Sequence, residues 1–477
     1  MRTFMRIALV FACLAAAFVG RVHAQPAAVE GDWFGTLAAG AANLRLAFHI
    51  KRAEGALLSG TFDSLDQGAM GLRIETVTFN GSTVRFEMKA PLASFEGTLA
   101  ADGSRISGTW MQGGATLPLV LTRGVPKPPN RPQEPKRPYP YADEEVVYQN
   151  KAAGIALAGT LTLPRATAPV PAVILISGSG PEDRDETVFG HKPFLVLADY
   201  LTRNGIAVLR VDDRGVGGSS GKTSAATSDD FAGDVQAGID YLKGRKEIDP
   251  KRIGLVGHSE GGLIAPIVAT RSADVAFIVL MAGPGLPGDE ILYLQAAAIG
   301  KASGAADAQL AANRTVQEQI FRIVKEEKDL TLMTARLQEL KQQILSGVPD
   351  AQRGAASGML DAQMAAVATP WFRYFLAYDP RPALEKVKCP VLAIIGERDL
   401  QVPFQPNLDA IGAALAKGGN TSVTLMHPPA LNHLFQQATT GSPAEYTRIE
   451  ETMAPAALEA ISSWIKKVAA LKEVHEP

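Results

Sequence analysis

Short apolar runs alternate with helical segments from about Asp143 onward, and this alternation constrains the fold more than any other feature of the sequence. Such runs, separated by helices, are typical of a parallel sheet that is buried on both faces. The sequence therefore predicts an α/β domain over residues 143–477, built on a doubly wound, mostly parallel sheet. The predicted strands are 172–176, 207–211, 253–256, 276–281 and 391–395, and the predicted helices include 195–203, 231–243 and 262–271.

One long segment, residues 289–369, interrupts this alternation. It is rich in Ala, Glu, Lys and Gln, it includes the helical stretch Ala335–Leu345, and it contains no clear strand. Loops at strand ends carry the sites of α/β proteins, so we expect a helical cap over the strand ends. The alternative is a long connection that merely contains helices.

The region before the α/β domain has a different pattern. Residues 25–124 contain short alternating runs between Gly, Asn-Gly and Asp-Gly turns, which predicts a small all-β barrel or sandwich. These residues contain no cluster of a nucleophile, a base and an acid, so we interpret residues 25–124 as a support or recognition domain. Residues 125–142 follow as a proline-rich linker whose simplest role is spacing.

The first 24 residues follow the pattern of a secretory signal peptide. Arg2 and Arg6 precede an apolar run over residues 7–20, and a small-x-small site predicts cleavage near Ala24-Gln25. A membrane helix is the rival, but the run is shorter than the roughly 20 residues a span needs. The lipoprotein alternative would use Cys13. The sequence thus predicts a secreted or periplasmic protein without stable membrane insertion after cleavage.

Net charge and cysteine content give no reason to expect a nucleic-acid partner or a disulfide. A net charge of −2 gives no reason to expect binding to nucleic acid. After cleavage only Cys389 remains, so no intrachain disulfide is expected. No spacing of His, Asp or Cys resembles a metal site, and we expect neither a metal nor an organic cofactor. The oligomeric state is not predicted.

The pentad Gly-x-Ser-x-Gly occurs twice, around Ser219 and around Ser259. Ser219 lies in a Gly/Ser loop with no strand running directly into it. Ser259 follows the apolar run 253–256 and precedes the helix predicted from Gly262. A strand, a sharp turn and a helix raise a serine hydroxyl above the sheet edge, so we predict that Ser259 is a nucleophile.

A serine nucleophile needs a base and an acid that orients the base, and in this arrangement both follow the serine in the chain. Asp399 follows the predicted strand 391–395 and is the preferred acid, with Glu397 and Asp289 as rivals. His433 lies in a loop before the last helix and is the preferred base, with His427 as its rival.

Stabilising the oxyanion requires backbone N–H groups already in place. We expect one from Glu260, directly after the nucleophile. The second is expected from the glycine-rich segment 177–186, with Ser179 as the chosen donor. The alternative for this segment is a plain glycine-rich turn.

These motifs together resemble the α/β-hydrolase superfamily, and more closely the two-domain bacterial carboxylesterases with an N-terminal β domain. The resemblance covers about residues 143–475 and rests on SGSGPEDRDE, GHSEGG, GERDLQVP and NHLF. It implies hydrolysis of a small-molecule carboxylic ester by a Ser259, Asp399 and His433 triad, and a structural role for Asp212–Gly215. Ser177 stands where many relatives have His.

Two other enzyme activities and one non-enzymatic role remain open. A thioesterase or a peptidase could use the same triad, because all three acyl transfers share the machinery. A binding protein with a vestigial hydrolase domain is the alternative from another class.

Overall fold

The computed structural model describes residues 29–39, 42–52, 57–65, 69–89, 92–112, 115–124 and 130–471. The predicted signal peptide and its cleavage position lie outside these residues and stay predictions. Residues 125–129 of the predicted linker also lie outside them. Over the described ranges, no helix has both the length and the apolar character needed to span a membrane.

The N-terminal part of the chain is a closed barrel of eight antiparallel strands. Its strands are β1 (Gly31–Ala39), β2 (Ala42–Arg52), β3 (Leu58–Ser64), β4 (Ala69–Asn80), β5 (Thr83–Lys89), β6 (Leu92–Leu99), β7 (Arg105–Gln112) and β8 (Ala115–Arg123). Burial alternates along β5, where Val84, Phe86 and Met88 point inward. Inside, the Phe48 and Phe86 rings stack with centroids 5.2 Å apart. Of the two predicted forms, barrel or sandwich, the barrel is the correct one.

The C-terminal part is built on an eight-stranded mixed sheet. Its strands are β9 (Ala142–Asn150), β10 (Ile155–Leu163), β11 (Val170–Ile176), β12 (Ala207–Val211), β13 (Ile248–His258), β14 (Val275–Met281), β15 (Val391–Ile394) and β16 (Val423–Met426). The spatial order is β16-β15-β14-β13-β11-β12-β10-β9. From β16 to β12 all pairs are parallel, whereas β10 runs antiparallel to both its neighbours. The prediction of a mostly parallel sheet is confirmed.

Helices cover both faces of this sheet. The helices are α1 (Pro193–Arg203), α2 (Ser228–Lys243), α3 (Glu260–Ala269), α4 (Gly288–Ala302), α5 (Asp307–Glu326), α6 (Leu330–Ser346), α7 (Asp350–Val367), α8 (Pro370–Ala377), α9 (Arg381–Leu384), α10 (Phe404–Lys417) and α11 (Pro455–Leu471). Neighbouring residues of β11 point to opposite faces. Val173 packs in one cluster with Leu197 of α1 and Ile461 of α11, and Ile174 packs in the other with Ile239 of α2. The sheet is therefore doubly wound, as predicted.

Helices α4 to α8 form the insertion between β14 and β15. They carry their own apolar cluster, which includes Phe321, Met333, Leu337 and Leu376. The predicted helix Ala335–Leu345 lies within α6. The helical segment continues past residue 369 through α8, because the Thr369 hydroxyl caps a further helix that starts at a proline.

The described end of the linker is anchored to the α/β domain. The Arg131 guanidinium donates hydrogen bonds to backbone carbonyls of two distant loops, and the Gln133 side chain donates to the Met453 carbonyl at 2.7 Å. The carbonyls that Arg131 contacts belong to Phe189, Gly190, Thr447 and Ile449. This segment therefore holds two loops of the α/β domain, and its role as a spacer stays a prediction.

Candidate active site

Ser259 lies on the sharp turn that joins β13 to α3. Its backbone has φ 52° and ψ −115°, a conformation that costs energy in a residue other than glycine. A Cβ on Gly257 would stand 2.0 Å from the Gly261 carbonyl oxygen, and one on Gly261 would stand 2.1 Å from that of Ile176. Both glycines of the pentad are therefore required by packing, and the strained turn points to a functional role for the serine.

The second pentad has a different setting. The Ser219 hydroxyl donates to the Asp212 carbonyl at 2.7 Å and accepts the Ala158 N–H at 2.9 Å. Asp212 itself accepts a bidentate interaction from the Arg184 guanidinium. Ser219 thus joins a loop to the edge of β10, which is a structural arrangement.

Asp399 and His433 are in contact in the structure. The Nδ1 atom of His433 lies 2.8 Å from Oδ2 of Asp399, and both residues are buried. The other oxygen, Oδ1, accepts the backbone N–H groups of Gln401 and Val402, each at 2.8 Å. The loops after β15 and β16 carry this pair, at the carboxyl edge of the sheet where sites of α/β folds lie.

The rival acid and base residues form other contacts. Glu397 pairs with His427 at 2.9 Å in an exposed position. Asp289 lies in the first turn of α4 and forms an ion pair with Lys325 of α5, at 2.6 Å. Among the residues that the structure describes, neither carboxylate forms a hydrogen bond or an ion pair with His433.

Two residues to which the sequence assigned no role connect Ser259 to the loop of His433. The Nε2 atom of His258 donates to the His433 carbonyl at 2.9 Å, and the two imidazole rings lie 4.8 Å apart. The Nδ1 atom of His258 contacts Glu186 at 2.9 Å. Glu186 is part of the quoted SGSGPEDRDE motif, but its partner lies 72 residues away. No local pattern could have identified this contact.

Glu260 has two parts with different surroundings. Its backbone N–H is at the start of α3, where free N–H groups favour a developing negative charge. Its buried carboxylate accepts hydrogen bonds from the Ser228 hydroxyl at 2.6 Å and from the Trp371 indole at 2.8 Å. Burial raises the pKa of this carboxyl group, and the bonds from Ser228 and Trp371 oppose the rise. Trp371 belongs to α8, so the helical insertion contacts the side chain of the residue that follows Ser259.

The segment predicted to supply the second oxyanion donor lies beside Ser259. A Cβ on Gly178 would stand 3.4 Å from the Ser259 Cβ. The Gly178 N–H donates to Glu186 at 2.8 Å, so this amide is already used. Gly178 and Glu260 line the same cavity of about 40 Å³. Ser179 is the next residue and is exposed, and its role as a donor stays a prediction.

Replacing Trp371 with Phe should lower the free energy of unfolding by about 1–3 kcal/mol, because the buried Glu260 carboxylate keeps only Ser228 as a donor. Urea denaturation followed by far-UV circular dichroism measures this loss. Trp464→Phe is the matched control, since this indole donates to the neutral Thr424 hydroxyl at 3.0 Å. Equal losses in the two variants would contradict the special role of the Trp371 contact.

No group of three or more His, Cys, Asp or Glu residues is placed to bind a metal ion in the part of the chain that the structure describes. Asp399 fixes the orientation of the His433 imidazole, and an imidazole held in this way is suited to act as a general base.

A mostly parallel sheet with helices on both faces and a serine on a strand-to-helix elbow defines an α/β hydrolase. The model of the serine aminopeptidase S33 family matches residues 192–435. This chain belongs to that family, and the matched span runs from the start of α1 to the loop that carries His433.

Individual relatives match shorter parts of the chain. Esterase EstD of Thermotoga maritima is 33% identical over 160 residues, which are 32% of this chain and 38% of that protein. An uncharacterized protein of Mycobacterium tuberculosis is 34% identical over 83 residues, or 17% of this chain and 28% of the relative. The chain therefore spans well under two thirds of the length of the curated relatives that it matches.

Solved structures with a similar fold include two esterases. The Pyrococcus furiosus esterase Pf2001 aligns with a TM-score of 0.41 and 16% identity, over 72% of this chain and 100% of that one. Est1E from Butyrivibrio proteoclasticus, solved with ferulic acid bound, aligns with a TM-score of 0.39 and 17% identity, over 69% of this chain and 100% of that one.

Proposed function

We propose that this protein hydrolyses carboxylic esters through an acyl-enzyme on Ser259. The observation that carries the proposal is the buried contact of 2.8 Å between His433 and Asp399, in loops beside the strained Ser259 elbow. The chain order of serine, acid and histidine also fits the arrangement of α/β hydrolases. Esterase EstD, a relative over part of the chain, supports the choice of esters.

In the first half of the reaction the Ser259 hydroxyl attacks the acyl carbonyl carbon. His433 takes the serine proton on Nε2 while the Oγ–C bond forms. Asp399 accepts a hydrogen bond from the Nδ1–H group of His433, which keeps Nε2 free to act as the base. The Gln401 and Val402 amides hold the Asp399 carboxylate in place through its other oxygen.

The tetrahedral intermediate carries its negative charge on the former carbonyl oxygen. The Glu260 N–H and the Ser179 N–H are the proposed donors to that oxygen. The intermediate then collapses, the bond to the alcohol breaks, and His433 returns the proton to the leaving alkoxide. In the second half, His433 removes a proton from water while the water oxygen attacks the acyl carbon. The bond between the acyl carbon and Oγ then breaks, His433 returns the proton to the Ser259 oxygen, and the acid product leaves.

The rival substrates are thioesters and peptides. The name of the family, serine aminopeptidase, favours a peptide substrate, whereas the match to esterase EstD favours an ester. A single panel separates them: p-nitrophenyl acetate and butyrate, an acyl thioester, and aminoacyl p-nitroanilides.

We expect kcat/KM for the p-nitrophenyl esters to exceed that for the anilides by at least about 100-fold. The p-nitrophenoxide ion is the better leaving group, and an esterase site has no binding group for a peptide terminus that would offset this difference. Labelling of Ser259 by a fluorophosphonate probe should accompany this turnover. A higher kcat/KM for an aminoacyl anilide would identify a peptidase rather than an esterase. Absence of turnover on every substrate would contradict the proposed hydrolysis.

A further inference from the structure

Glu186 and His258 form a buried pair beside the proposed nucleophile. Both are at least nine-tenths buried, with 4% and 6% of their surface exposed. Glu186 adopts φ 52°, a left-handed conformation that a residue with a side chain takes only when its surroundings impose it. No step of the proposed reaction uses either side chain, so burial of two ionisable groups at this position calls for another explanation.

The hydrogen bonds of the pair determine where its protons are. The carbonyl oxygen of His433 can only accept, so Nε2 of His258 carries a proton. The Oε1 atom of Glu186 accepts the Gly178 N–H at 2.8 Å and also faces Nδ1 of His258 at 2.9 Å. With Oε1 accepting from both sides, Nδ1 carries a proton as well, and the His258 ring is an imidazolium.

The charges around the pair agree with this assignment. Burial alone would lower the pKa of His258, but the charge of Glu186 and its hydrogen bond raise that pKa to about 9. Asp399 adds to this rise, and Glu182 and the His433 ring, whose centroid is 4.8 Å away, are further ionisable groups near the His258 ring.

The pair connects three separate segments of the chain around Ser259. Glu186 holds the Gly178 amide of the segment that precedes α1, His258 is the last residue of β13, and His433 lies in the loop after β16. We propose that Glu186 and His258 are positioning residues for hydrolysis, which hold the oxyanion segment, the serine elbow and the His433 loop at fixed mutual distances. The proposal rests on the proposed function of Ser259 and His433.

Two variants of Glu186 separate the hydrogen bonds from the charge. In Glu186→Gln, the side-chain oxygen can stay in the position of Oε1, where it accepts the Gly178 N–H and still faces Nδ1 of His258, so only the negative charge is removed. Glu186→Ala removes both contacts. His258→Gln is the matched variant of the partner, because one amide nitrogen cannot occupy both ring-nitrogen positions.

We expect Glu186→Ala and His258→Gln to lower kcat about 10- to 100-fold with KM within about threefold of the wild type, since small displacements of reacting groups cost rate rather than binding. Glu186→Gln should recover most of the kcat lost in Glu186→Ala. Each kcat is measured with p-nitrophenyl butyrate and divided by the number of sites that the fluorophosphonate titrates, so unfolded molecules do not enter the value.

Two results would overturn the proposal. One is a wild-type kcat per titrated site in both Glu186→Ala and His258→Gln, which would leave the pair a role in folding alone. The other is a loss of kcat in Glu186→Gln that is as large as the loss in Glu186→Ala. If Glu186→Ala does not fold, the loss of kcat in Glu186→Gln is compared with that in His258→Gln instead. Failure of the proposed function would be seen separately, as wild-type protein that neither turns over the ester nor labels at Ser259.

Discussion

Replacing Ser259 with Ala should lower kcat/KM for a p-nitrophenyl ester by about 10⁴-fold or more, because the acyl-enzyme can no longer form. Folding should be retained, since alanine fits the space of the serine and the required glycines at 257 and 261 are unchanged. Ester turnover followed at the absorbance of p-nitrophenolate measures the loss. Labelling by a fluorophosphonate should disappear in parallel.

Ser219→Ala is the matched control, because it removes the serine of the other pentad. Its hydroxyl bridges Ala158 and Asp212, so we expect a loss of about 1–3 kcal/mol in the free energy of unfolding and no loss of kcat per folded molecule. Unchanged labelling in Ser259→Ala, or lost labelling in Ser219→Ala, would contradict the choice between the two pentads.

The parts of the fold that the sequence predicts are those with a local signal. Runs such as 275–281 are buried along their whole length, as strands of a sheet covered on both faces are. The strand before Ser259 and the helix after it were predicted in the same way, since apolar periodicity is a property of neighbouring residues. The order of nucleophile, acid and base along the chain then limits the candidates for the acid and the base to residues that follow Ser259.

The contacts that sequence reasoning missed join residues far apart in the chain. Trp371 and Glu260 are 111 residues apart, and Arg131 reaches the Ile449 carbonyl across 318 residues. Closure of the barrel likewise depends on pairing of Trp33 with Arg123, and alternation alone is equally compatible with a sandwich. Such pairings depend on how finished elements pack, so no periodicity of the sequence reports them.

The second large effect is expected in Asp399→Asn, which should lower kcat about 10⁴-fold with little change in stability. The asparagine oxygen would stay on the Gln401 and Val402 amides, which can only donate. Its NH₂ group would then face Nδ1 of His433, and a donor at that position forces Nδ1 to accept. The imidazole proton would move to Nε2, and an Nε2–H cannot take the proton of Ser259.

Glu397→Gln is the control that separates the two neighbouring acids. Glu397 faces His427 at an exposed position, so its replacement should change kcat by less than about twofold. Both variants are assayed with p-nitrophenyl butyrate, and circular dichroism checks that each is folded. A large loss in Glu397→Gln together with a kcat near the wild type in Asp399→Asn would reassign the acid to Glu397. Equal, small effects in both would mean that His433 needs no carboxylate to hold its tautomer.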